Sequence, residues 1–523
     1  MSRSFEDRHI GPTSVDEAAM LKHLGYSDLS TFIKDVVPSN ILIKGVIEDA
    51  LDHGKSEVEV IAELRAIASE NKVFRSLIGT GYYGTIVPPV IKRNVLENPS
   101  WYTAYTPYQP EISQGRLEAI LNFQTMVTEL TRLPLANGSL LDEATAVAEA
   151  VTMAHRVSKS KSDSVFVDSN THPQTLAVLA TRLEPIGIAI QLGNIATYNA
   201  SLYFAVVVSM PGSDGIVPPA ATLSALTEQA RQNKAISIAV TDLLACALFT
   251  PPGQLGFDIA IGSSQRFGVP MGFGGPHAAF MATRDEHARA LPGRLVGVST
   301  DTEGRPALRL ALQTREQHIR REKATSNICT AQALLANIAG FYATWHGAVG
   351  LQRIAQRVQR LTTMAAQGLR ANGYQLVHDT WFDTISVRVP QGAKGIIDNG
   401  RSLDLDFRVV DELTIGLTFD ETSTLEIVAD VLRAFGCTDI MSPEKFDAPD
   451  VGIPLALVRT DEILTAKVFH SCQTEHEMLR YLRRLADKDL ALDRTMIPLG
   501  SCTMKLNATT EMEAVTWPEF AAL

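Results

Sequence analysis

A turn of small residues and a carboxylate at a strand end are the features of this sequence best placed to hold a ligand. Asn137, Gly138 and Ser139 precede a long amphipathic helix, where backbone N–H groups and a serine hydroxyl can hold a phosphate. Asp242 ends the buried run ISIAVTD, and an acid in that place can hold a protonated heterocyclic nitrogen. Two plainer interpretations remain open. Ser139 or Asp142 can serve as an ordinary N-cap, and Asp242 can cap the helix that follows it.

The segment IGSSQRFGVPMGFGGPH, residues 261–277, predicts a buried strand that runs into a glycine-rich turn. With the phosphate turn and the acid, it resembles the plan of pyridoxal-phosphate enzymes of the aspartate-aminotransferase fold, in which a lysine at this strand end forms the imine. Gln265 stands where that lysine should be, and Arg266 follows it. The sequence therefore predicts a vestigial cofactor pocket, made of Ser139, Asp242, Gln265 and Arg266.

Alternating helices and strands must position these residues. The β-branched runs SVFVD, LYFAVVVSM, ISIAVTD and DIAIGS are separated by amphipathic helices, which predicts an α/β fold with a mainly parallel sheet covered on both faces. Ligands of such sheets lie at the carboxyl ends of the strands, where Asp168, Asp242 and residues 263–275 fall. Near the N-terminus, Ser14 and Glu17 predict a capping box, and Gly25 a helix C-cap.

Four domains are expected from the changes in predicted secondary structure along the chain. They are a helical arm at 1–75, a large domain at 76–345, a small α+β domain at 346–440, and a linker with a further opening segment at 441–523.

Composition indicates a cytoplasmic protein of more than one domain. The 523 residues are 45% apolar and 20% charged, no apolar run is long enough to span a bilayer, and the N-terminus has no secretory or transit character. A net charge of −11 without a basic run makes nucleic acid an unexpected partner. Five scattered cysteines favour free thiols in a reducing compartment.

Two motif-like stretches are better explained without a ligand. GTGYYG, residues 79–84, matches the dinucleotide pattern G-x-G-x-x-G, but TIVPPV follows it in place of a helix, so a tight turn bearing two tyrosines is favoured. His470, Cys472 and His476 match no standard zinc spacing, so we predict a loop and no metal.

Longer strings resemble the P proteins of the glycine cleavage system. They include LANGSLLDEATAVAEA, GSSQRFGVPMGFGGPHAAFMAT and MIPLGSCTMKLNAT, and the resemblance extends over essentially the whole chain from RHIGP onward. It implies a fold type I, aminotransferase-like large domain with a small C-terminal domain. It also implies decarboxylation of glycine on pyridoxal phosphate, with transfer of the aminomethyl group to the lipoyl arm of the H protein.

The resemblance also implies which part of the family this chain represents. Long members contain two homologous halves, and only the second carries the imine lysine, in a segment resembling H-K-T-F. Residues 264–267 of this chain, SQRF, occupy the equivalent place in a first half. We therefore expect a non-catalytic half that is inactive alone, with pyridoxal phosphate bound in the second half and not covalently here. Since GSCTMKLN opens the second half in the family, a truncated product of a long gene is favoured over a natural split subunit.

Partner contacts are expected from residues near the N-terminus of the large domain. The candidates that would reach the active site of the second half, or else pack in an ordinary interface, are Tyr82, Tyr83, Tyr105, Tyr108 and Gln109. A basic cluster could meet an anionic partner or form a solvated face, and consists of Arg315, Arg320, Arg321 and Lys323. The expected partners are the second half, the H protein and further copies of this chain. The alternative is a silent assembly scaffold with no ligand of its own.

Overall fold

The computed structural model describes residues 5–9, 11–43, 54–104, 106–312, 317–324, 332–438, 452–496 and 507–523. The chain divides into two compact units, the first made of Met1–Lys72 with Asn507–Phe520 and the second of Val73–Leu506 with Ala521–Leu523. No helix in the described part of the chain is both long and apolar enough to cross a membrane.

The helices follow one another along the chain from the arm to the C-terminal segment. They are α1 (Glu6–His9), α2 (Ser14–Leu24), α3 (Leu29–Val36), α4 (Glu57–Ala68), α5 (Pro89–Ile91), α6 (Pro99–Tyr102), α7 (Gln114–Thr131), α8 (Glu143–Val157), α9 (Pro173–Leu183), α10 (Ala220–Gln232), α11 (Gln317–Arg320), α12 (Ala333–Ala371), α13 (Lys394–Ser402), α14 (Leu425–Ala434), α15 (Glu475–Ala486), α16 (Thr509–Glu513) and α17 (Pro518–Ala521).

The strands belong to one large sheet, one small sheet and a separate hairpin. They are β1 (Arg75–Leu77), β2 (Leu135–Ala136), β3 (Ser164–Asp168), β4 (Ala189–Gly193), β5 (Ala205–Met210), β6 (Ile236–Thr241), β7 (Ile259–Ser263), β8 (Ala279–Thr283), β9 (Val296–Thr300), β10 (Pro306–Leu310), β11 (Gln375–Leu376), β12 (Thr384–Arg388), β13 (Leu405–Asp411) and β14 (Thr414–Thr418).

The first unit is helical, as the sequence predicts for the arm. The capping box of α2 lies one residue earlier than predicted, because Thr13 and Asp16 form it and not Ser14 and Glu17. Gly25 is the left-handed C-cap, with φ of 86°. The residues 507–520 that belong to this unit pack on α4, where the Arg65 guanidinium lies 3.4 Å from the centre of the Trp517 ring.

The large sheet of the second unit has the order β2-β8-β7-β6-β5-β3-β4. Its central pairs, from β4 through β3, β5 and β6 to β7, are parallel, and β8 runs antiparallel to β7 and β2. Along β5, Val206 and Val208 pack in one core with α7, α10 and α12, while Val207 packs in another with α8 and α9. This arrangement confirms the predicted α/β fold with a mainly parallel, two-sided sheet.

The small sheet has the order β1-β13-β14-β12-β11, with α13 and α14 packed beside it. Its strand β1 pairs in parallel with β13, so residues 75–77 join a sheet whose other strands lie some three hundred residues later. We call the parts of the second unit built on the two sheets the large lobe and the small lobe. Helix α12 contributes to the cores of both and has a non-helical backbone at Gly347, with φ of 60°.

Residues 452–496, inside the predicted linker and opening segment, contribute to the core of the second unit. Helix α15 packs on α7, where the buried carboxylate of Asp489 accepts hydrogen bonds from the backbone N–H groups of Gly115 and Arg116, at 2.7 and 3.0 Å. The Arg116 Nε–H donates to the same carboxylate at 2.7 Å. The boundaries of the four predicted domains stay a prediction.

Helix α7 and helix α15 approach so closely that only glycine fits at position 115. A Cβ there would lie 1.9 Å from the carbonyl oxygen of Leu485. We expect Gly115→Ala to lower the free energy of unfolding by about 1–3 kcal/mol because the two helices must separate. Gly395→Ala is the matched control, since that helical glycine has nothing within 4 Å and alanine favours the helix. Chemical denaturation measures both, and equal effects would contradict the close packing.

Candidate functional site

The carboxyl ends of the central strands surround a small inner cavity of the second unit. It has about 40 Å³ of free space, which suits a few water molecules. The residues that line it include Tyr83, Glu143, His172, Asp242, Ser263 and Asp383. Strands β6 and β7 place Asp242 and Ser263 there because Asp242 follows β6 directly and Ser263 ends β7.

Arg266 dominates the electrostatics beside this cavity. Its guanidinium is buried between two carboxylates: Nη1 donates to Asp242 Oδ2 and, at 2.8 Å, to Asp383 Oδ2. The guanidinium carbon also lies 3.8 Å from the centre of the Tyr83 ring, in cation–π geometry. A buried charge needs such partners, since leaving one member of a buried ion pair alone is strongly destabilising.

The pKa values in this cluster follow from the same contacts. Burial alone would lower the pKa of Arg266, but the carboxylates of Asp242 and Asp383 raise it above its usual value. Burial raises the pKa of Asp383, and the positive charge of Arg266 opposes that rise. Arg266 therefore stays cationic.

Gln265, the predicted substitute for the lysine, forms hydrogen bonds through both the nitrogen and the oxygen of its carboxamide. Its Nε2 donates to the carbonyl oxygens of Tyr83 and Val269, at 2.9 and 2.7 Å, and its Oε1 accepts from the Tyr83 N–H at 3.0 Å. A lysine ammonium has no acceptor and could not replace this last bond. The carboxamide therefore braces the turn at residues 79–84 against the large lobe.

The predicted phosphate turn is occupied by the protein itself. The backbone N–H groups of Asn137, Gly138 and Leu140 donate to carbonyl oxygens of other strands and loops, at 3.1, 2.7 and 2.7 Å. Ser139 is buried, with φ of 132°, and is not among the residues that line the inner cavity. The cap of α8 is Asp142, whose carboxylate accepts from the Thr145 N–H at 2.7 Å.

A larger outer cleft, of about 190 Å³, lies at the N-terminus of α8. Tyr82, Asp142, Glu143 and His277 are among its lining residues. Burial raises the pKa of Glu143 to about 7, although the Thr175 hydroxyl donates to its carboxylate at 3.2 Å. Two carboxyl groups at this helix end oppose the binding of a phosphate.

The sequence alone did not single out several residues that the structure brings to the site. Asp383 lies 117 positions from Arg266, on the other lobe, and no local pattern marks it. His172, whose pKa burial lowers to about 4, and Glu143 lie in loops or helix starts that resemble ordinary caps. The sequence could have indicated these residues only through their positions, because each follows a strand of the large sheet or precedes a helix packed on it.

The two tyrosines of GTGYYG, residues 79–84, lie on a tight turn, which is the structure that the sequence favours for this stretch. Gly79 and Tyr82 form an isolated bridge, and the next helix begins at Pro89. Tyr82 packs edge-on against His277 with 5.1 Å between ring centres, while His277 Nδ1 and Ser263 Oγ lie 2.9 Å apart.

The other predicted contact residues lie apart from the inner cavity and outer cleft. Tyr108 is half-buried with the Arg294 guanidinium 4.8 Å from its ring centre, and Gln109 is exposed before a short 3-10 turn. Arg320 and Arg321 are exposed. Tyr105, Arg315 and the side chain of Lys323 fall outside the described residues.

The remaining polar candidates have ordinary surroundings. Asp168 ends β3, and burial raises its pKa to about 6 while the Asn170 N–H donates to it at 3.0 Å. Within the described ranges, no group of three or more His, Cys, Asp or Glu side chains is arranged to hold a metal ion.

Comparison with known proteins gives a consistent result. The family described as glycine cleavage system P-protein matches residues 7–435. A protein named glycine dehydrogenase (decarboxylating) from Bordetella avium strain 197N is 52% identical over 523 residues, covering 99% of this chain and 54% of that protein. The protein of the same name from Gluconobacter oxydans strain 621H is 53% identical, covering 100% of this chain and 55% of that protein. The chain thus spans about half the length of the curated relatives it matches.

Solved structures agree on the fold. A crystal structure of an inhibitor-bound glycine decarboxylase (P-protein) of the glycine cleavage system is 32% identical with a TM-score of 0.75, covering 82% of this chain and 98% of that chain. At 11% identity, a NifS-like protein from Rickettsia africae and a sphingosine-1-phosphate lyase from Burkholderia pseudomallei share the fold alone, with TM-scores of 0.50 and 0.51. These likenesses confirm the predicted fold type I architecture.

Glu143 gives the site a pH dependence that can be measured. Its pKa is about 7 in the folded chain and near 4.5 unfolded, so the folded state loses stability as pH rises from about 4.5 to about 7. We expect Glu143→Gln to raise the free energy of unfolding by about 2 kcal/mol at pH 8, with the gain shrinking toward pH 5. Thermal unfolding of both proteins across this range measures the difference.

The control for this prediction is on the same helix. Glu149 is buried, but Arg182 Nη2 donates to its carboxylate at 2.6 Å. Glu149→Gln loses that ion pair and should lower stability at pH 8. A destabilised Glu143→Gln at pH 8 would show that its carboxylate is held charged by partners.

Proposed function

The chain belongs to the glycine cleavage system P-protein family, and we propose that it serves glycine decarboxylation as a half of the enzyme that does not form the imine. The observation that carries this proposal is the pair Gln265 and Arg266. An amide stands in the place of the lysine, and a guanidinium neutralises the acid that would face a pyridine nitrogen.

Pyridoxal phosphate, on which the family depends, does not fit the inner cavity of this chain. Asp242 Oδ1 accepts from the Leu244 N–H at 2.7 Å and its Oδ2 from Arg266, so the carboxylate is already engaged and poorly placed to accept from a pyridinium N–H. About 40 Å³ of free space is far below what an aromatic ring needs. The carboxyls of Asp142 and Glu143 oppose a phosphate group at the cleft next to it. We infer that the lysine-bearing half holds the cofactor.

The contribution of this chain would then be made at a contact surface. Tyr82 lines the open outer cleft, whereas the ring of Tyr83 is covered by the Arg266 guanidinium, so Tyr82 is the better candidate to reach the partner half. In this proposal glycine and the lipoyl arm of the H protein meet the cofactor on that half, in a cytoplasmic assembly that contains further copies of this chain.

A silent scaffold is the second candidate function. The complete hydrogen bonding of Gln265 and the paired charge of Arg266 favour it, because they make the former cofactor site part of the packed interior. The two functions differ in whether side chains of this chain, or only its surface shape, affect the reaction.

The first test of the proposal concerns the cofactor. We expect the isolated chain to show no aldimine absorbance with pyridoxal phosphate, because none of the described residues that line the inner cavity is a lysine and its acid is already paired. Borohydride reduction followed by peptide mass mapping should find no lysine modified in stoichiometric amount. A single fully modified lysine would contradict this expectation.

The second test concerns the reaction. Glycine–bicarbonate exchange should appear only when this chain is combined with a lysine-bearing P-protein half. Tyr82→Phe should then lower the exchange about tenfold, equivalent to about 1.4 kcal/mol of transition-state stabilisation. Tyr374→Phe is the control, because that hydroxyl donates to the Phe435 carbonyl inside the small lobe, remote from the outer cleft.

The outcome separates the two functions. Exchange unchanged by Tyr82→Phe would favour the scaffold, and absence of exchange in the combined wild-type halves would reject both a catalytic and an assembly role in this reaction.

A further inference from the structure

We propose that Arg266 is a positioning residue that closes a clasp between the large and small lobes and thereby fixes the loop 79–86. The clasp consists of this loop with Gln265 and Arg266 of the large lobe and Asp383, Asp420 and Glu421 of the small lobe. Its existence is independent of the proposed function, and only its effect on the reaction rests on that function.

One guanidinium links the two lobes. Asp242 follows β6 of the large sheet, and Asp383 directly precedes β12 of the small sheet. Arg266 Nη1 donates to both, and the side chains of Arg266, Asp242 and Asp383 are largely shielded from solvent, at 4%, 13% and 4% exposure. Because water is mostly excluded, this connection is weakly screened and strongly dependent on all three partners.

The large lobe holds the loop from one side. Gln265 makes two hydrogen bonds to the backbone of Tyr83, and Gln174 Nε2 donates to the Thr80 carbonyl at 2.5 Å. The Arg266 carbonyl accepts from the Thr85 hydroxyl at 2.9 Å, while its guanidinium covers the Tyr83 ring.

The small lobe holds the loop from the other side. The Gly84 N–H donates to Asp420 Oδ2 at 2.6 Å, and the Ile86 N–H donates to Glu421 Oε2 at 2.8 Å. The Thr85 hydroxyl also lies 2.9 Å from the same Glu421 oxygen. Along the loop, Tyr83 is therefore held by the large lobe, Gly84 and Ile86 are held by the small lobe, and Thr85 contacts both lobes.

Close packing explains why glycines stand in this loop. A Cβ at Gly79 would lie 2.2 Å from Thr418 Oγ1, and one at Gly84 would lie 2.6 Å from Thr422 Oγ1. Gly79 also has φ of 69°, which favours glycine. The small lobe thus touches the backbone of the loop directly.

The consequence is that the loop and the two lobes move as one body while Arg266 keeps both carboxylates. A second link, between His378 Nε2 and Asp214 Oδ2 at 2.6 Å, keeps the lobes associated when the Asp383 contact is removed. Loss of Asp383 should therefore loosen the loop without unfolding the chain. Tyr82, carried on this loop, would lose its fixed position in the outer cleft.

The test is hydrogen exchange of the full chain bearing Asp383→Asn. We expect the backbone amides of residues 79–86 to exchange about tenfold faster or more, while the amides of the α7 core stay protected. Asp461→Asn is the control, since it breaks ion pairs to Arg132 and Arg459 in the same unit but touches no clasp residue. Unchanged exchange of the loop, or acceleration equal to that in the control, would overturn the clasp.

A second variant tests the guanidinium itself. Arg266→Ala leaves two buried carboxylates around an empty site, and millimolar guanidinium chloride should restore slow exchange of residues 79–86. Sodium chloride at the same concentration should not. Equal effects of the two salts, or no effect of either on a folded variant, would also overturn the proposal.

The reaction separates this inference from the proposed function. With the lysine-bearing half, Asp383→Asn should lower glycine–bicarbonate exchange, and Asp461→Asn should not. If the wild-type halves show no exchange while Asp383→Asn loosens the loop, the proposed function fails and the clasp stands. If exchange occurs and the loop is unaffected, the clasp fails alone.

Discussion

A buried guanidinium between two carboxylates is the interaction on which the rest of the second unit depends. Asp242 and Asp383 approach the same nitrogen of Arg266, and two like charges in a largely dry site need the positive charge between them. That charge ties the end of a central strand to the start of a strand in the other lobe. The site lies at the strand ends of an aminotransferase-like fold, and its guanidinium and two carboxylates are paired with one another.

Charged side chains border both hollows of the site. The inner cavity is lined by Asp242 and Asp383, and the carboxylates of both accept hydrogen bonds from the Arg266 guanidinium. The outer cleft stays open at the start of α8, where Asp142 and Glu143 repel the anion that helix N-termini commonly attract. The two hollows therefore differ in size, with about 40 Å³ in the inner cavity and about 190 Å³ in the outer cleft.

The sequence predicted the parts of the site that lie close together along the chain. The strand-end positions of Asp242 and Gln265 follow from periodic β-branched runs, which determine strands well. Asp383 and strand β1 were not predicted, because their partners lie on segments far away in sequence and only tertiary packing brings them together. Of the two predicted caps for α8, Ser139 and Asp142, the structure uses Asp142, and the capping box predicted at Ser14 lies one residue earlier, at Thr13.

The paired hydrogen bonds of Gln265 to the backbone of Tyr83 have a consequence for substitution at this position. Mutation of Gln265 to lysine alone would leave the Tyr83 N–H without its acceptor. It would also place a second cation beside Arg266, which already pairs with the nearby carboxylates. A lysine at position 265 would thus need compensating substitutions around it. The contacts of Gln265 and Arg266 therefore make any single substitution of Gln265 unfavourable unless neighbouring residues change with it.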